Sequence, residues 1–449
     1  MWTRRGLLAT AGVAAVAGTS ATAALSGTVD LAGPPDFTFV SMPDFFNADV
    51  ADLSGLPTWD GGMNSYNQWW KLATDSCLWA VKAQDPDAVF VAGDQVEGRW
   101  NVDTDDRRIF GQVSQGTDEV SLAMCRGAIS RAGATYYSHY TKLFADRGLP
   151  LYAAIGDHEI LDDRSGPLSE RWSPSGSHKG TPDNRYYLVD HAKSVWADHF
   201  TRTPSGKPVH QRRPVGTAHE HTAYAVDFAD VFTLVTVDVF DRTESGVRLG
   251  VFDGQLDWMK KEIRRAKEKG HVVAVQGHIP AVGPYRVFAS GNLHMPEGEQ
   301  SDFWVALKRT GADFYLCGEV HDATAVQPGS RQPVQVSHGC TYRYGFSYLV
   351  GKVWDNGRVL LEYHELPQVS QSEELGIWSS DHAKLAPNRV SYTLPVVRGR
   401  LEWNNGVVLS RTEKLGVYDP ANDTYAYRKP PHGLLGLARS APRQGPSSA

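Results

Sequence analysis

Acidic and histidine side chains recur in this sequence directly after short apolar runs, where they could bind metal ions or transfer protons. Asp44 follows the run at 37–42, and Asp94 follows the run at 88–92. Asp157, His158 and Glu159 follow the run at 151–155. His278 follows the run at 272–276, and Glu319 and His321 follow the run at 313–317. Carboxylate oxygens and imidazole nitrogens are common protein ligands of divalent cations. The pattern therefore predicts a metal-dependent centre.

Buried strands would bring these side chains to one edge of a sheet. The runs are short and rich in β-branched and aromatic residues, and a sixth of the same kind lies at 231–237. In α/β proteins the carboxyl ends of parallel strands form the functional edge of the sheet. Glycine precedes several candidates, as in Gly93-Asp94 and Gly277-His278, and it lets the chain turn sharply there.

Helical patterns alternate with the predicted strands. Apolar spacing over 66–81 and 256–266 predicts two helices, with Asp253 as a cap of the second and Gly270 as its end. The alternation changes to a period of two around Asn356-Gly357, which predicts a β-hairpin over 346–363.

Two polar regions interrupt this alternation. Residues 98–133 and 160–222 are rich in Gly, Pro and Arg, so we expect insertions made of loops and short helices. Insertions over a rigid scaffold are where selection of a substrate usually takes place.

In their order, the polar motifs resemble those of the calcineurin-like metallophosphoesterase family, which are DxH, GDxx, GNH(D/E), GH and GHxH. The match extends over residues 36–365, about three quarters of the chain. The resemblance implies an α/β fold, a four-layer α/β/β/α sandwich with long insertions and a C-terminal extension. It also implies an enzyme that hydrolyses a phosphomonoester or phosphodiester with a metal-bound hydroxide as the nucleophile.

The resemblance assigns roles to individual residues. Asp94 would bridge two metal ions, Asp44 and His321 would complete one site, and the other would be completed by Asp157, His278 and Glu319. His158 would lie beside the phosphorus, where it would stabilise the transition state or protonate the leaving group, and Glu159 would orient its ring.

Three positions depart from the family pattern. Phe46 replaces the histidine of DxH, and either Asn47 or a water could fill the gap, although Asn47 could equally be a turn residue. Asp157 replaces an Asn and Glu319 replaces a His, and both substitutes can still coordinate. The resulting donor set favours manganese, iron or magnesium, with calcium or zinc as alternatives. The extra negative charge would oppose a phosphate dianion unless both metals are bound, which is consistent with weak or selective activity.

Other candidates carry weaker signals. His219 and His221 flank Glu220 but lack further ligands, and His294 and His338 lie in or after segments that could approach the centre. Arg99 could contact a phosphate oxygen, although a surface or salt-bridge role is more typical of such a residue.

Composition limits the partners. The formal net charge is −6, so no basic surface points to nucleic acid as a partner. The four cysteines form no CxxC pair, so a thiolate zinc site is not expected. One disulfide between Cys317 and Cys340 could form after export, and buried free thiols are the alternative.

The N-terminus resembles a twin-arginine export signal over residues 1–27, with Arg4-Arg5 before a weakly apolar stretch that is too short to be a stable membrane span. An ordinary secretory signal or an uncleaved anchor is the alternative. We expect a catalytic domain at 36–365, a C-terminal extension at 366–433 and a disordered tail at 434–449. A secreted, periplasmic or cell-surface location follows.

The predicted partners are the export machinery and a small-molecule or lipid-derived phosphate ester. A non-catalytic or weakly active metal-binding exported protein on the same fold is the main alternative, because Phe46 removes a ligand. The presence of His158 and Glu159 argues against it, since a pure metal binder would not need them. A hydrolase of a phosphoramide or a sulfate ester is a third possibility.

Overall fold

The computed structural model describes most of the chain. The described residues are 33–44, 68–96, 98–102, 110–161, 172–174, 177–178, 181–182, 184–283, 285, 293–320, 323–337, 345–370, 390–392, 394–412, 418–419 and 424–425. The chain divides into two compact units, Met1–Pro35 and Asp36–Ala449, and the elements below belong to the second. The predicted export signal and tail lie outside the described residues.

The described helices and strands follow one another along the chain with long intervals between some of them. The helices are α1 (Gln68–Lys82), α2 (Glu119–Ala145), α3 (Arg185–Phe200), α4 (Asp253–Glu268) and α5 (Asp302–Thr310). The strands are β1 (Phe37–Ser41), β2 (Ala88–Ala92), β3 (Leu151–Ala154), β4 (Ser177–His178), β5 (Thr181–Pro182), β6 (Tyr224–Phe228), β7 (Phe232–Thr236), β8 (Phe240–Thr243), β9 (Gly246–Leu249), β10 (Val272–Gln276), β11 (Phe314–Cys317), β12 (Thr324–Val326), β13 (Val334–Ser337), β14 (Gly345–Val353), β15 (Arg358–Ser370), β16 (Val390–Tyr392), β17 (Val396–Asn404), β18 (Val407–Arg411), β19 (Tyr418–Asp419) and β20 (Thr424–Tyr425).

Two large sheets contain the strands that carry the candidate ligands. One sheet has the order β18-β17-β15-β14-β1-β2-β3, with β16 paired to β15, and the other has the order β12-β13-β11-β10-β7-β6. Strands β1, β2 and β3 are parallel neighbours in the first sheet, and β7, β10 and β11 are parallel neighbours in the second. Each sheet thus has one edge where the carboxyl ends of ligand-bearing strands meet.

Aromatic side chains pack the two sheets face to face. The ring of Phe232 on β7 lies 5.3 Å from that of Phe39 on β1 and 6.0 Å from that of Phe90 on β2, measured between centroids. Helices pack on the outer faces of the sheets. There α4 contributes the buried side chains Leu256 and Met259 to a second hydrophobic core, separate from the aromatic one between the sheets. Burial of apolar surface on both faces of both sheets holds the layers together. The chain therefore has the predicted four-layer α/β/β/α architecture.

Most of the predicted elements are present, and two predictions need correction. The hairpin of β14 and β15 forms, with Gly357 at φ 77 in its turn. However, Phe252, not Asp253, is the N-cap residue of α4, and it makes no side-chain capping bond. Helix α2, which has 27 residues, begins within the region 98–133 that was predicted to hold loops and short helices, and it extends beyond that region. Its buried face consists largely of Ala, Gly, Ser and Tyr, so its apolar periodicity is weak.

Three further observations concern the predicted disulfide and membrane contacts. Cys77, Cys125 and Cys317 are free buried thiols, and Cys340 lies outside the described residues. Burial raises the pKa of the Cys77 and Cys317 thiols, which keeps them protonated. In the part of the chain that the structure describes, no helix has the length and apolar character needed to cross a membrane.

Candidate metal centre

The candidate ligands follow the strands at turns of unusual backbone conformation. Asp44 after β1, Asp94 after β2 and Glu319 after β11 have φ values of 56°, 57° and 62°. Non-glycine residues rarely adopt this left-handed region, because it brings Cβ close to the backbone. Strained residues of this kind persist where the surrounding structure fixes them and are common at functional sites.

Four of the candidate ligands converge on one point between the two sheets. One ligand atom from each of Asp94, Asp157, His278 and Glu319 lies within 4.8 Å of the other three, and all four residues are buried. Asp94 and Asp157 come from the first sheet, and His278 and Glu319 come from the second. Because metal–ligand bonds are about 2.0 to 2.6 Å long, a single ion could contact all four groups.

Glycines allow the turns to approach one another this closely. A Cβ on Gly93 would lie 2.5 Å from Nδ1 of His278 and 2.7 Å from Cα of Gly156. A Cβ on Gly318 would lie 2.8 Å from Oδ2 of Asp44. All three distances are too short for a side chain, so these positions need glycine.

A backbone hydrogen bond fixes the orientation of His278. Its Nδ1 lies 2.7 Å from the carbonyl oxygen of Ala92, an arrangement in which Nδ1–H donates and Nε2 is left for a ligand. Nε2 lies 2.7 Å from Oδ1 of Asp157 and 3.4 Å from Oδ2 of Asp94. Burial lowers the pKa of His278, but the two carboxylates outweigh it and hold the pKa well above its usual value.

The charge balance of the centre fits a cation. Asp94 has a buried Oδ2 that accepts no hydrogen bond from the described residues. Burial and the neighbouring carboxylate of Asp94 raise the pKa of Asp44 well above its usual range, although His278 opposes this. A bound divalent ion would satisfy the orphaned oxygen and neutralise the excess negative charge. The carboxylate-rich donor set suits a hard cation.

His158 and Glu159 lie beside this cluster, in a short 3-10 turn after β3 that spans His158–Ile160. Nε2 of His158 is 3.9 Å from Oδ2 of Asp94 and 4.0 Å from Oδ2 of Asp157, and its ring is buried. Glu159 accepts backbone hydrogen bonds from Asp94, Gln95 and Gly156. Burial and the charge of Asp94 raise the pKa of Glu159 to about 7. The predicted role of Glu159 in orienting the ring of His158 stays a prediction.

The remaining predicted site residues fall into two groups. Asp44 lies next to the four-residue cluster, where its Oδ1 is 3.4 Å from the backbone nitrogen of Glu319, which donates to it. His321, Phe46 and Asn47 lie outside the described residues, so the second metal site stays a prediction. Among the described residues, neither His219 nor His221 belongs to the cluster.

The loops that carry His294 and Arg99 contact the centre through backbone atoms. Leu293, which precedes His294, donates its backbone N–H to Oε1 of Glu319 at 3.1 Å. Gly98, which precedes Arg99, packs so closely on the carbonyl oxygen of His158 that a Cβ there would overlap it. His338 lies outside the described residues.

Sequence reasoning missed two glutamines near the centre. Gln335 on β13 accepts from the backbone N–H groups of Ala281 and Val282 at 2.8 and 2.9 Å, so it holds the loop after His278. A glutamine within an otherwise apolar strand was the available signal. Gln95, next to Asp94, buries an amide whose oxygen and nitrogen make no hydrogen bond with the described residues.

Comparisons with known proteins identify the family to which the chain is similar. A family model described as calcineurin-like phosphoesterase matches residues 48–323. Among solved structures, a dimetal phosphatase from Danio rerio is 15% identical with a TM-score of 0.43, and the alignment covers 73% of this chain and 96% of that one. A structure of PhoD is 11% identical with a TM-score of 0.48, and the alignment covers 85% of this chain and 73% of that one. No curated protein matches the sequence.

Proposed function

Because the chain belongs to the calcineurin-like phosphoesterase family, we propose that its buried carboxylate centre hydrolyses a phosphomonoester or phosphodiester outside the cytoplasm. Membership of the family makes the protein a metal-dependent phosphoesterase. The location, the substrate and the role of each residue are our proposal. The observation that carries it is the convergence of Asp94, Asp157, His278 and Glu319 within 4.8 Å.

Asp94, Asp157, His278 and Glu319 would hold one ion, and Asp94 would share a second ion with Asp44 and His321. When bound, such ions lower the pKa of a coordinated water and stabilise negative charge on phosphoryl oxygens. The oxygen-rich donor set favours manganese, iron or magnesium over zinc. The hydrogen bond to Ala92 presents Nε2 of His278 to the ion.

His158 is the proposed acid. Its Nε2 lies 3.9 Å from Oδ2 of Asp94 and 4.0 Å from Oδ2 of Asp157, beside the proposed metal centre. A protonated imidazole beside the phosphorus can donate to the leaving oxygen or stabilise charge on the phosphoryl group.

Export is the second part of the proposal, and it rests on Arg4-Arg5 and the weakly apolar stretch after them. A reporter fused to residues 1–27 should leave the cytoplasm, and the export should fail when Arg4 and Arg5 are both changed to Lys. Export that survives this double change would favour an ordinary secretory signal.

Activity is tested on protein purified without chelator. Metal content is measured, and hydrolysis of p-nitrophenyl phosphate and bis-p-nitrophenyl phosphate is compared with and without added Mn²⁺. We expect about two ions per chain when Mn²⁺ is saturating and metal-dependent cleavage of at least one ester. Bound metal without cleavage of either ester would instead favour the non-catalytic metal-binding protein, which the loss of a histidine at Phe46 makes the leading alternative.

A further inference from the structure

We infer that Glu159 is a positioning residue, whose carboxylate locks the turn that carries Asp94 to the turn that carries Asp157 and thereby sets the affinity of the centre for metal. The inference rests on the proposed function, in which Asp94 bridges the ions. In this role the carboxylate of Glu159 binds backbone N–H groups of the two turns that carry the metal ligands.

Three backbone N–H groups converge on the carboxylate of Glu159. Oε2 accepts from Asp94 at 3.0 Å and from Gly156 at 2.7 Å, and Oε1 accepts from Gln95 at 2.7 Å. The turns are also linked in the other direction, because the backbone N–H of His158 donates to Oδ1 of Asp94 at 3.2 Å. Each turn therefore places a carboxylate on the backbone of the other.

The lock explains how Asp94 keeps its left-handed conformation. Gly93 and Asp94 have φ values of 86° and 57°, and successive residues of such a turn present their N–H groups to one side. A single anion can then accept from both Asp94 and Gln95. Without that anion, the buried N–H groups would lose their acceptor, which is unfavourable for a donor shielded from water. The turn would then relax and displace the carboxylate of Asp94.

The three N–H donors require a carboxylate at position 159, and the close packing requires a glycine at position 156. A carboxylate offers acceptor sites on both oxygens and no donor, whereas a glutamine amide would place an NH₂ group against one backbone N–H. A Cβ on Gly156 would overlap Oδ1 of Asp94 and would lie 2.6 Å from Oε2 of Glu159. Gly156 therefore lets the backbone come close to both carboxylates.

The experiment measures Mn²⁺ affinity by titration in the wild type, in Glu159→Gln and in Glu159→Asp. We expect Glu159→Gln to bind Mn²⁺ about 10- to 100-fold more weakly, as is usual when a group that supports metal ligands is lost. Glu159→Asp keeps both acceptor oxygens on a shorter side chain, so its Mn²⁺ affinity should lie between those of the wild type and Glu159→Gln. At saturating Mn²⁺, the residual loss of kcat should be the same for aryl and alkyl phosphates.

Asp313→Asn is the matched control. The Asp313 carboxylate is also buried and accepts a backbone N–H, from Val273 at 2.8 Å, together with Lys267 at 2.7 Å. These contacts lie at the amino ends of β10 and β11, at the opposite end of the strands from the centre. This variant should melt at a lower temperature and keep the wild-type Mn²⁺ affinity.

Wild-type Mn²⁺ affinity in Glu159→Gln, with a loss of kcat confined to alkyl phosphates, would overturn the inference and assign Glu159 to the ring of His158. If Glu159→Gln does not fold, Glu159→Asp decides, and wild-type affinity there overturns the inference too. Failure of the proposed function looks different: wild-type protein would bind Mn²⁺ and cleave no ester, while the titrations still decide the role of Glu159. Wild-type protein that binds no Mn²⁺ would contradict both.

Discussion

Among the described residues, the metal centre and a second cluster of charged side chains differ in how their charge is balanced. The metal centre gathers the carboxylates of Asp94, Asp157 and Glu319 around the imidazole of His278. The second, which we call the balanced cluster, consists of the buried residues Lys193, His219, Asp238 and Asp241, with the exposed Arg248 at its edge. In it Asp238 accepts from Lys193 at 2.6 Å and from His219 at 3.1 Å, while Asp241 pairs with His219 and Arg248.

The comparison shows that buried charge alone does not identify a functional site. Asp238 is fully buried, yet its carboxylate is neutralised by protein groups, and Thr222 donates a further hydrogen bond at 2.7 Å. Asp94 is equally buried, but its Oδ2 accepts no hydrogen bond from the described residues. A buried carboxylate oxygen that lacks a hydrogen-bond donor is suited to bind a cation, whereas a carboxylate saturated by protein donors indicates a structural role.

The largest effect is expected from Asp94→Asn. The change removes the charge that both ions would share, so metal content and activity should fall together, with kcat/KM lowered by about a thousandfold or more. Metal analysis and steady-state kinetics on the same preparation check this. Two fully occupied metal sites in the variant would refute the bridging role of Asp94.

His158→Ala should lower turnover by about two to four orders of magnitude, the usual range for a lost general acid, while metal content and fold are kept. The loss should be smaller for nitrophenyl esters, because nitrophenolate leaves without a proton. An equal loss for good and poor leaving groups would assign His158 to charge stabilisation at phosphorus instead. A simultaneous fall in metal content would make His158 a ligand.

Asp238→Asn should produce the reverse pattern from Asp94→Asn. It leaves the buried ammonium of Lys193 without its partner, which typically lowers the free energy of unfolding by about 3 to 5 kcal/mol. Chemical denaturation of the metal-free protein measures this loss. Mn²⁺ affinity should stay at the wild-type value in the folded variant, and a large drop would mean that the two clusters are coupled.

The pH dependence of the free energy of unfolding should show the contribution of protonated His219. Burial lowers its pKa, but hydrogen bonds to Asp238 and Asp241 raise the pKa above the usual value. Protonation is therefore favoured in the folded state, and the stabilisation is complete below the unfolded pKa of about 6.5 and is lost as pH rises through the folded value. In metal-free protein, the stability difference between wild type and His219→Gln should shrink above neutral pH. A difference that does not change with pH would contradict this assignment.

Much of the architecture could be predicted from the sequence because buried parallel strands read as short apolar runs. The candidate ligands could be found for the same reason, since each follows the end of such a run. The structure adds that three of the turns adopt a left-handed φ, at Asp44, Asp94 and Glu319, which follows from contacts between distant segments. Periodicity within a single segment carries no information about such contacts.

The parts that could not be predicted depend on tertiary contacts. Helix α2 buries small and hydroxyl-bearing residues that do not form an apolar stripe in the sequence. The hydrogen bonds of Glu159 span 64 and 65 residues to Gln95 and Asp94. The balanced cluster could not be predicted either. In the sequence His219 stands out only as part of a His-Glu-His triplet, whereas its partners Asp238 and Asp241 come 19 and 22 residues later.

The most direct test of the whole account is a crystal structure grown with Mn²⁺ and measured at a wavelength where manganese scatters anomalously. The account predicts two peaks beside the strand ends, with Asp94 oxygens within about 2.5 Å of both and with Asp157, His278 and Glu319 on one of them. Manganese bound elsewhere, or an Asp94 carboxylate that touches no ion in metal-saturated crystals, would contradict it.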